Sequence, residues 1–524
     1  MKKNLFLLLF CFTIIVSCVR KDDFNFSNLK ISNWTPDWAF PLLNAHLLFS
    51  NFVKAGDVIN IDSNGLYSLK YSSSPYSIKA SDYIKIPDQN FNTGNFTLTS
   101  PITNASFTGS ISDSLSNHFS YTDTSGAQLQ HIVLKAGILQ LNITSTYNQN
   151  ISFIITFPNI KNGSNSLSVS STISYPATTV SNNVDLSGYT IDMTNGGTAH
   201  NYIAYKINYT ITGSGQPINA TNTLSATIGY TNLQFSFVDG TMGHYTIPIP
   251  NDSIDLNIFN KTITASIYLQ NPLLHLNFIN SFGMGVTAQI DSLYGISTSG
   301  SIINMILPVM SILGATTLGT TAISNYTIDS TNNTFRNILN PSPNKLVYRG
   351  RVLINPGGGT AYNFISDTSS IKLTVDAELS AWLKIINFSL QDTTKLILPQ
   401  DTNILTKAQF AIQVINAFPL YASVQFYFAD SNYTILDSLI KPNNNIIPQA
   451  PVDNNGIVNG TNTSTTYFIM NHDQYNVMAN KVRYGFTRGN LYSSGSGAVQ
   501  IHNKDNVSLK LAVRFSLNVS TNGL

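Results

Sequence analysis

The chain has 524 residues, of which 43% are hydrophobic and only 10% charged, with a formal net charge of +2. An ordinary soluble domain carries about 25% charged residues, yet this apolar content excludes disorder and supports more than one core, about two to four domains by length. No run of basic residues marks a nucleic-acid surface, and with only Cys11 and Cys18 present there is no disulfide framework or Cys-based metal site.

Met1-Lys2-Lys3 precedes an apolar run from Leu5 to Val16. A charged start, a short apolar core and a small residue before the cut are the parts of a secretory signal, and the run is too short to span a bilayer. Ile15-Val16-Ser17-Cys18 resembles the lipobox of bacterial lipoproteins. The resemblance implies removal of residues 1–17, acylation of Cys18 and anchoring in a membrane through several acyl chains. Residues 18–33 read as a tether. Its Arg20-Lys21-Asp22-Asp23 cluster looks like the export tag of Bacteroidota-type surface lipoproteins, a solvated spacer being the plainer reading. The expected location is the outer membrane, facing the periplasm or the cell exterior.

Asn33-Trp34-Thr35-Pro36-Asp37-Trp38-Ala39-Phe40-Pro41-Leu42 is an extended entry, because its prolines exclude a helix interior. Trp34 and Trp38 are expected to plug the first core, with a sugar-stacking or membrane-interface aromatic patch as their functional alternative. The stretch resembles the opening of uncharacterised Bacteroidota-type outer-membrane lipoproteins.

Beyond it the pattern is strand-like. Ile371 to Leu379 and Leu509 to Leu517 alternate apolar and polar residues, the mark of half-buried strands. The run from Ile302 to Leu313, interrupted by Pro308, is expected to form a buried strand pair. Three stretches starting at Leu139, Leu274 and Phe410 place apolar residues at the same offsets. In each, two period-two runs flank an aromatic: Tyr147, Phe282 or Phe418. Asn280 and Asn416 stand two residues before the aromatic, and Ser145 holds that place in the first copy. The pattern predicts a hairpin or a pair of neighbouring strands, three times over. A second echo relates Gly188–Ile203 to Gly350–Ile365, and Leu224-Ser225-Ala226 to Leu379-Ser380-Ala381.

The expected fold is therefore all-β: tandem β-sandwich-like modules over 34–165, 166–340 and 345–524, with one continuous β-structure as the alternative. The repeated cores resemble late-embryogenesis-abundant-type β-sandwiches.

Chemistry is sparse. Asp376 and the single glutamate, Glu378, share a strand face with Lys372 and Lys384 and read as a solvated face rather than an acid pair. No two of the eight histidines stand within four residues of each other, so the usual zinc spacing is missing. No cofactor is expected, and no enzymatic activity. Counting along its strand points Trp382 outward, either to be covered by a neighbouring module or to stack on a ligand. Asp-Ser or Asp-Thr triplets at Ser114, Ser253, Ser292, Thr393 and Ser438 resemble the O-glycosylation site of Bacteroidota-type exported proteins. Two functions compete. The first is a non-enzymatic envelope or surface protein for adhesion or a protein complex. The alternative is a glycan-binding accessory lipoprotein of a polysaccharide-uptake system, with Trp382, Trp34 and Trp38 as stacking residues.

Overall fold

The computed structural model describes residues 35–52, 58–256, 265–296, 302–340, 342–356, 361–395, 405–438, 447–493 and 497–519. Cys18, Trp34 and the leader and tether that hold them lie outside these residues.

In chain order the strands open with β1 (Asp37–Leu48), β2 (Val58–Ile61), β3 (Tyr67–Ser72) and β4 (Tyr76–Lys79). Next come β5 (Gln89–Asn92), β6 (Ser110–Ser120), β7 (Gln128–Ser145), β8 (Asn150–Asn162), β9 (Asn165–Ile173), β10 (Thr179–Asp185), β11 (Thr190–Asp192), β12 (Tyr202–Thr212) and β13 (Leu224–Thr241). They are followed by β14 (Tyr245–Asp255), β15 (Ala265–Leu269), β16 (Pro272–Asn280), β17 (Val286–Ile296), β18 (Asn304–Met305), β19 (Met310–Ile312), β20 (Ala322–Ile328), β21 (Lys345–Ile354), β22 (Asn363–Ser366) and β23 (Ser370–Ser380). The last are β24 (Trp382–Lys395), β25 (Leu405–Asn416), β26 (Leu420–Ala429), β27 (Ile435–Ser438), β28 (Asn462–Asn471), β29 (Tyr484–Ser493), β30 (Val499–Gln500) and β31 (Asn506–Leu517). Helices are few and short: α1 (Phe49–Phe52), α2 (Ala80–Tyr83), α3 (Asn333–Leu339) and α4 (His472–Lys481).

The all-β expectation holds, and each repeated stretch builds one two-sheet body. The first is a ten-stranded sheet folded on itself, with β13, β7 and β10 in one layer and β9, β8, β12 and β6 in the other. The short β11 pairs with both β7 and β8 and joins the layers. The second body sets β3, β23, β16 and β20 in one sheet and β14, β21 and β17 in the other. The third sets β1, β31, β25 and β28 in one sheet and β24, β29, β26 and β27 in the other.

The repeats are not hairpins. β16 pairs with β20 and β23, whereas β17 pairs with β18, β19 and β21. Likewise β25 pairs with β28 and β31, and β26 with β27 and β29. Each repeat is a corner at which the chain leaves one layer of its body and enters the other. The residue two places before the aromatic explains the turn. Asn280 is fully buried; its Oδ1 accepts the N–H of Phe282 at 2.8 Å, and its Nδ2 donates to the carbonyls of Met284 (3.0 Å) and Leu313 (2.9 Å). Asn416 repeats this with Phe418, Leu420 and Pro448. In the first copy the Ser145 hydroxyl accepts the Tyr147 N–H at 2.9 Å, and buried Gln149 reaches the neighbouring loop by donating to the Gln216 carbonyl at 2.8 Å. A side chain that bonds the backbone two residues on turns the chain, and buried backbone groups demand such partners.

Strand pairing corrects the expected boundaries. The first body uses β5 to β13. The second uses β2 to β4 and then β14, β16 to β21 and β23, so the first is inserted within it, and β22 returns to pair with β13 of the first. The third uses β1 and then β24 from Ile386 onward, enclosing both. The division expected after residue 165 falls inside β9, whose Asn165 pairs with Asn162. Residues 345–380, assigned in advance to the last module, pair within the second body. Trp38 belongs to an edge strand of the third body, paired with Phe515, and not to a first core. The second echo does not repeat structurally: Gly188 turns at φ +80°, while Gly350 sits mid-strand in β21, and Leu224 opens β13 whereas Leu379 is near the end of β23.

The chain divides into two compact units. One holds the third body, and its core gathers Leu405, Phe410, Phe428, Met470, Tyr475, Met478 and Val513 from both sheets and α4. The other holds the first and second bodies. Within it β22 pairs with β13 by register Phe237↔Ser366 to Gly240↔Asn363.

Candidate functional site

The acid pair of the sequence is locked in a ladder. On the outer face of the second body, Asp376 is buried and meets Lys70 Nζ at 3.1 Å and Asn277 Nδ2 at 3.0 Å. Glu378 accepts from Ser68 at 2.7 Å and meets His275 Nε2 at 3.5 Å. Period-two spacing placed both carboxylates on one face, as expected, and cross-strand partners from β3 and β16 engage them.

One cluster escaped sequence reasoning because its members are far apart in the chain. His131 Nδ1 lies 2.9 Å from Oδ1 of buried Asp239, and its Nε2 lies 3.8 Å from Asp192. The hydroxyl of Tyr362 donates to Asp239 Oδ2 at 2.7 Å; burial and this bond push the phenol up to about 12. For Asp192, burial alone would raise the carboxyl, but bonds from the Thr194 hydroxyl and N–H outweigh it and hold it below its ordinary range. The result ties β7, β13 and the entry to β22 together. Among the described residues no group of three His, Cys, Asp or Glu side chains could hold a metal ion.

An open depression of about 750 Å³ lies on the outer face of β6, β12, β8 and β9. It is carpeted by hydroxyls in cross-strand rows, such as Ser112, Thr210, Ser152 and Thr172, with Ser112 and Thr210 bonded at 2.8 Å.

The segment 302–323 departs from the buried strand pair expected of it. Met305, Leu307, Met310 and Ile312 are buried against the second body, but Ile302, Ile306, Val309, Leu313, Leu318 and Ile323 are each more than half exposed. Among the described residues the two short strands β18 and β19 pair only with β17, and no described strand covers the side chains between them. Leu313 N–H bonds Ser324 Oγ at 3.0 Å, which sets Leu313 beside Ile323, and Ile323 pairs across the sheet with exposed Ile279. From Ser292 to Ile328 the sequence has no charged residue.

The aromatic candidates divide. Leu379, Ala381 and Leu383 are buried and Trp382 is 36% exposed, so the alternation read from sequence is correct and the ring is open. Trp38 is 50% exposed and packs edge-on to Phe40, which is tilted against Phe515. Of the five modification candidates, Ser114 and Thr393 are exposed and Ser253 and Ser438 half-buried. Ser292 is only 6% exposed and donates to Asn304 Oδ1 at 2.6 Å. Thr393 and Ser438 share one cross-strand row through Phe486 and Tyr427; the other candidates lie on different strands.

No family model matches the chain, and no curated protein matches it. Among solved structures, a protein of Parabacteroides distasonis described as secreted is similar over 53% of this chain and 88% of its own, at 15% identity and a TM-score of 0.30. A chain of the T13 particle of infectious bursal disease virus is similar over 88% of this chain and 79% of its own, at 9% identity and a TM-score of 0.15. Scores this low leave fold and function to be argued from the chain's own residues. No helix among the described residues is long and apolar enough to cross a membrane.

Proposed function

We propose that the chain is a non-enzymatic, extracytoplasmic envelope protein, anchored to the outer membrane through Cys18, that works within a protein complex. The observation that carries this reading is the row of exposed aliphatics Leu313, Ile323 and Ile279 on the second body, bordered by Lys372, with exposed Ile306 and Val309 in the same uncharged stretch 292–328. Scattered exposed aliphatics are ordinary, but a contiguous group of them marks an interaction surface. The non-enzymatic part is supported by the carboxylates, which are spent on ion pairs and strand-to-strand bonds. The test is a photo-crosslinking amino acid placed at Val309 or Leu313 in cells. A covalent protein adduct of fixed mass from these positions, and none from Ser170 on the hydroxyl face, is expected. Failure of both positions to give an adduct refutes the complex. Glycan binding is the second reading, and the open ring of Trp382 favours it.

A further inference from the structure

We propose that the outer face of the β26–β29 strand pair is a binding strip for a linear glycan, with Tyr433 as its end platform. The proposal deepens the glycan reading and uses a different surface from the apolar face of the second body.

Three loops in the chain are built alike. Asp62, Asp430 and Asp453 each bond the backbone N–H groups two and four residues on through Oδ1. Each also closes the turn by donating its own N–H to the carbonyl four residues on. The residue three places after the Asp takes the left-handed region in every case: Gly65 at φ +85°, Gly456 at φ +78° and Tyr433 at φ +62°. Glycine adopts this conformation freely; a bulky side chain is strained there. The third loop therefore holds a tyrosine against its backbone preference. What holds it is visible: its ring stacks on Tyr484 at 4.5 Å and leans on Phe486 at 5.9 Å, while remaining 55% exposed. Strain retained at an exposed ring points to a use for that ring.

The register extends the platform into a strip. Tyr421 pairs with Tyr492, Ser423 with Asn490 and Tyr427 with Phe486, all on the face opposite buried Leu420, Ala422 and Phe428. Tyr421 and Tyr492 stack at 5.4 Å and 10°. Rings thus stand at both ends, with two polar rows between them, Ser423 opposite Asn490 and Gln425 opposite Arg488. From Tyr492 to Tyr484 the strand advances about 27 Å, at ~3.4 Å per residue, room for several sugar rings in a row. Sugars present C–H faces to aromatic rings and hydroxyls to amides, so the order of groups suits them. Charge narrows the choice. By register the rows hold two isolated cations, Arg488 opposite Gln425 and Lys395 beside Tyr484, whereas a nucleic acid demands a continuous cationic track along its phosphates. An added peptide strand would use a sheet edge rather than a face.

The test is native electrophoresis of the purified full chain in detergent, in gels cast with and without soluble starch, xyloglucan, galactomannan or mixed-linkage β-glucan. At least one polysaccharide should retard the parent. Tyr433→Gly places at φ +62° the residue used by the two sister loops, so it should melt no lower than the parent while losing about tenfold in retention. Tyr421→Ala should weaken retention as well, and Trp38→Ala should not. No retardation in any gel, or retardation that survives Tyr433→Gly unchanged, overturns the proposal. Neither result bears on crosslinking from Val309.

Discussion

Replacing Asn280 by Ala removes the group that turns the chain between the two sheets of the second body. Three bonds go: the one accepted from Phe282 and the two donated to Met284 and Leu313. At ~1 kcal/mol net each they amount to about 3 kcal/mol, and leaving their buried partners unpaired takes the loss toward about 5 kcal/mol. Asn280→Ser retains the Phe282 bond, as Ser145 does for Tyr147, but cannot reach the Leu313 loop, so about half that loss is expected. Asn280→Asp retains the acceptor and turns its second oxygen on two carbonyls. Its folded pKa must then rise above the unfolded value, so this variant is weakest at neutral pH and regains stability as pH falls through the raised value. With several bodies in one chain, global unfolding is not two-state. Hydrogen exchange of peptides covering 278–286 reads the corner directly, and exchange faster by about a hundredfold or more in Asn280→Ala is expected. Exchange within fivefold of the parent would show that the corner is held by apolar packing alone, and the reasoning from the repeated Asn would fail.

Two further outcomes follow from the carboxylates and the modification sites. Asp37, held low by its bonds to Arg514 and Ser516, and Asp185 and Asp329, held low by Ser187 and Thr331, all lie below the ordinary 3.8. Depressed groups stabilise above their unfolded pKa and lose that contribution as pH falls through the folded one. Calorimetry should therefore show melting temperatures dropping below about pH 4, and an unchanged melt at about pH 2.5 would contradict it. For glycosylation, Ser292 should be unmodified in the native protein because it is buried and bonded to Asn304. Peptide mapping that finds sugar on Ser292 while Thr393 is bare would contradict this.

Local periodicity carried much of the fold and none of its nesting. The offsets around Tyr147, Phe282 and Phe418 are set by burial on alternate positions, and burial is what a strand records in its own sequence. Leu139, Leu141 and Ile143, like Leu274, Leu276 and Phe278, are buried as the pattern requires. Whether two such runs face each other across a hairpin or part into separate sheets is decided by hydrogen bonds to distant strands. Both outcomes bury the same residues, so the pattern could not separate them. The nested order of the bodies is hidden for the same reason: β1 finds β31 through a register of backbone groups, and backbone groups leave no trace in composition. The Ile302–Leu313 run misled because hydrophobicity was taken for burial; alternate residues there point away from the body that buries the others.

The candidate sites divide along the same line. Trp382 was found because exposure alternates along its own strand. The His131–Asp239–Tyr362 cluster was not, since it joins β7, β13 and the entry to β22. Tyr433 lies between these cases. Asp62-Ser63-Asn64-Gly65-Leu66 and Asp453-Asn454-Asn455-Gly456-Ile457 spell one turn, and Asp430-Ser431-Asn432-Tyr433-Thr434 breaks it at the one place where glycine is favoured. Comparing the three loops would have singled out the tyrosine without any coordinates. What the sequence could not supply is the reason it is tolerated, because Tyr484 lies fifty-one residues away and is brought under the ring by pairing between β26 and β29. A ligand strip on a β-sheet is legible one strand at a time, and it becomes a surface only when the register aligns the strands.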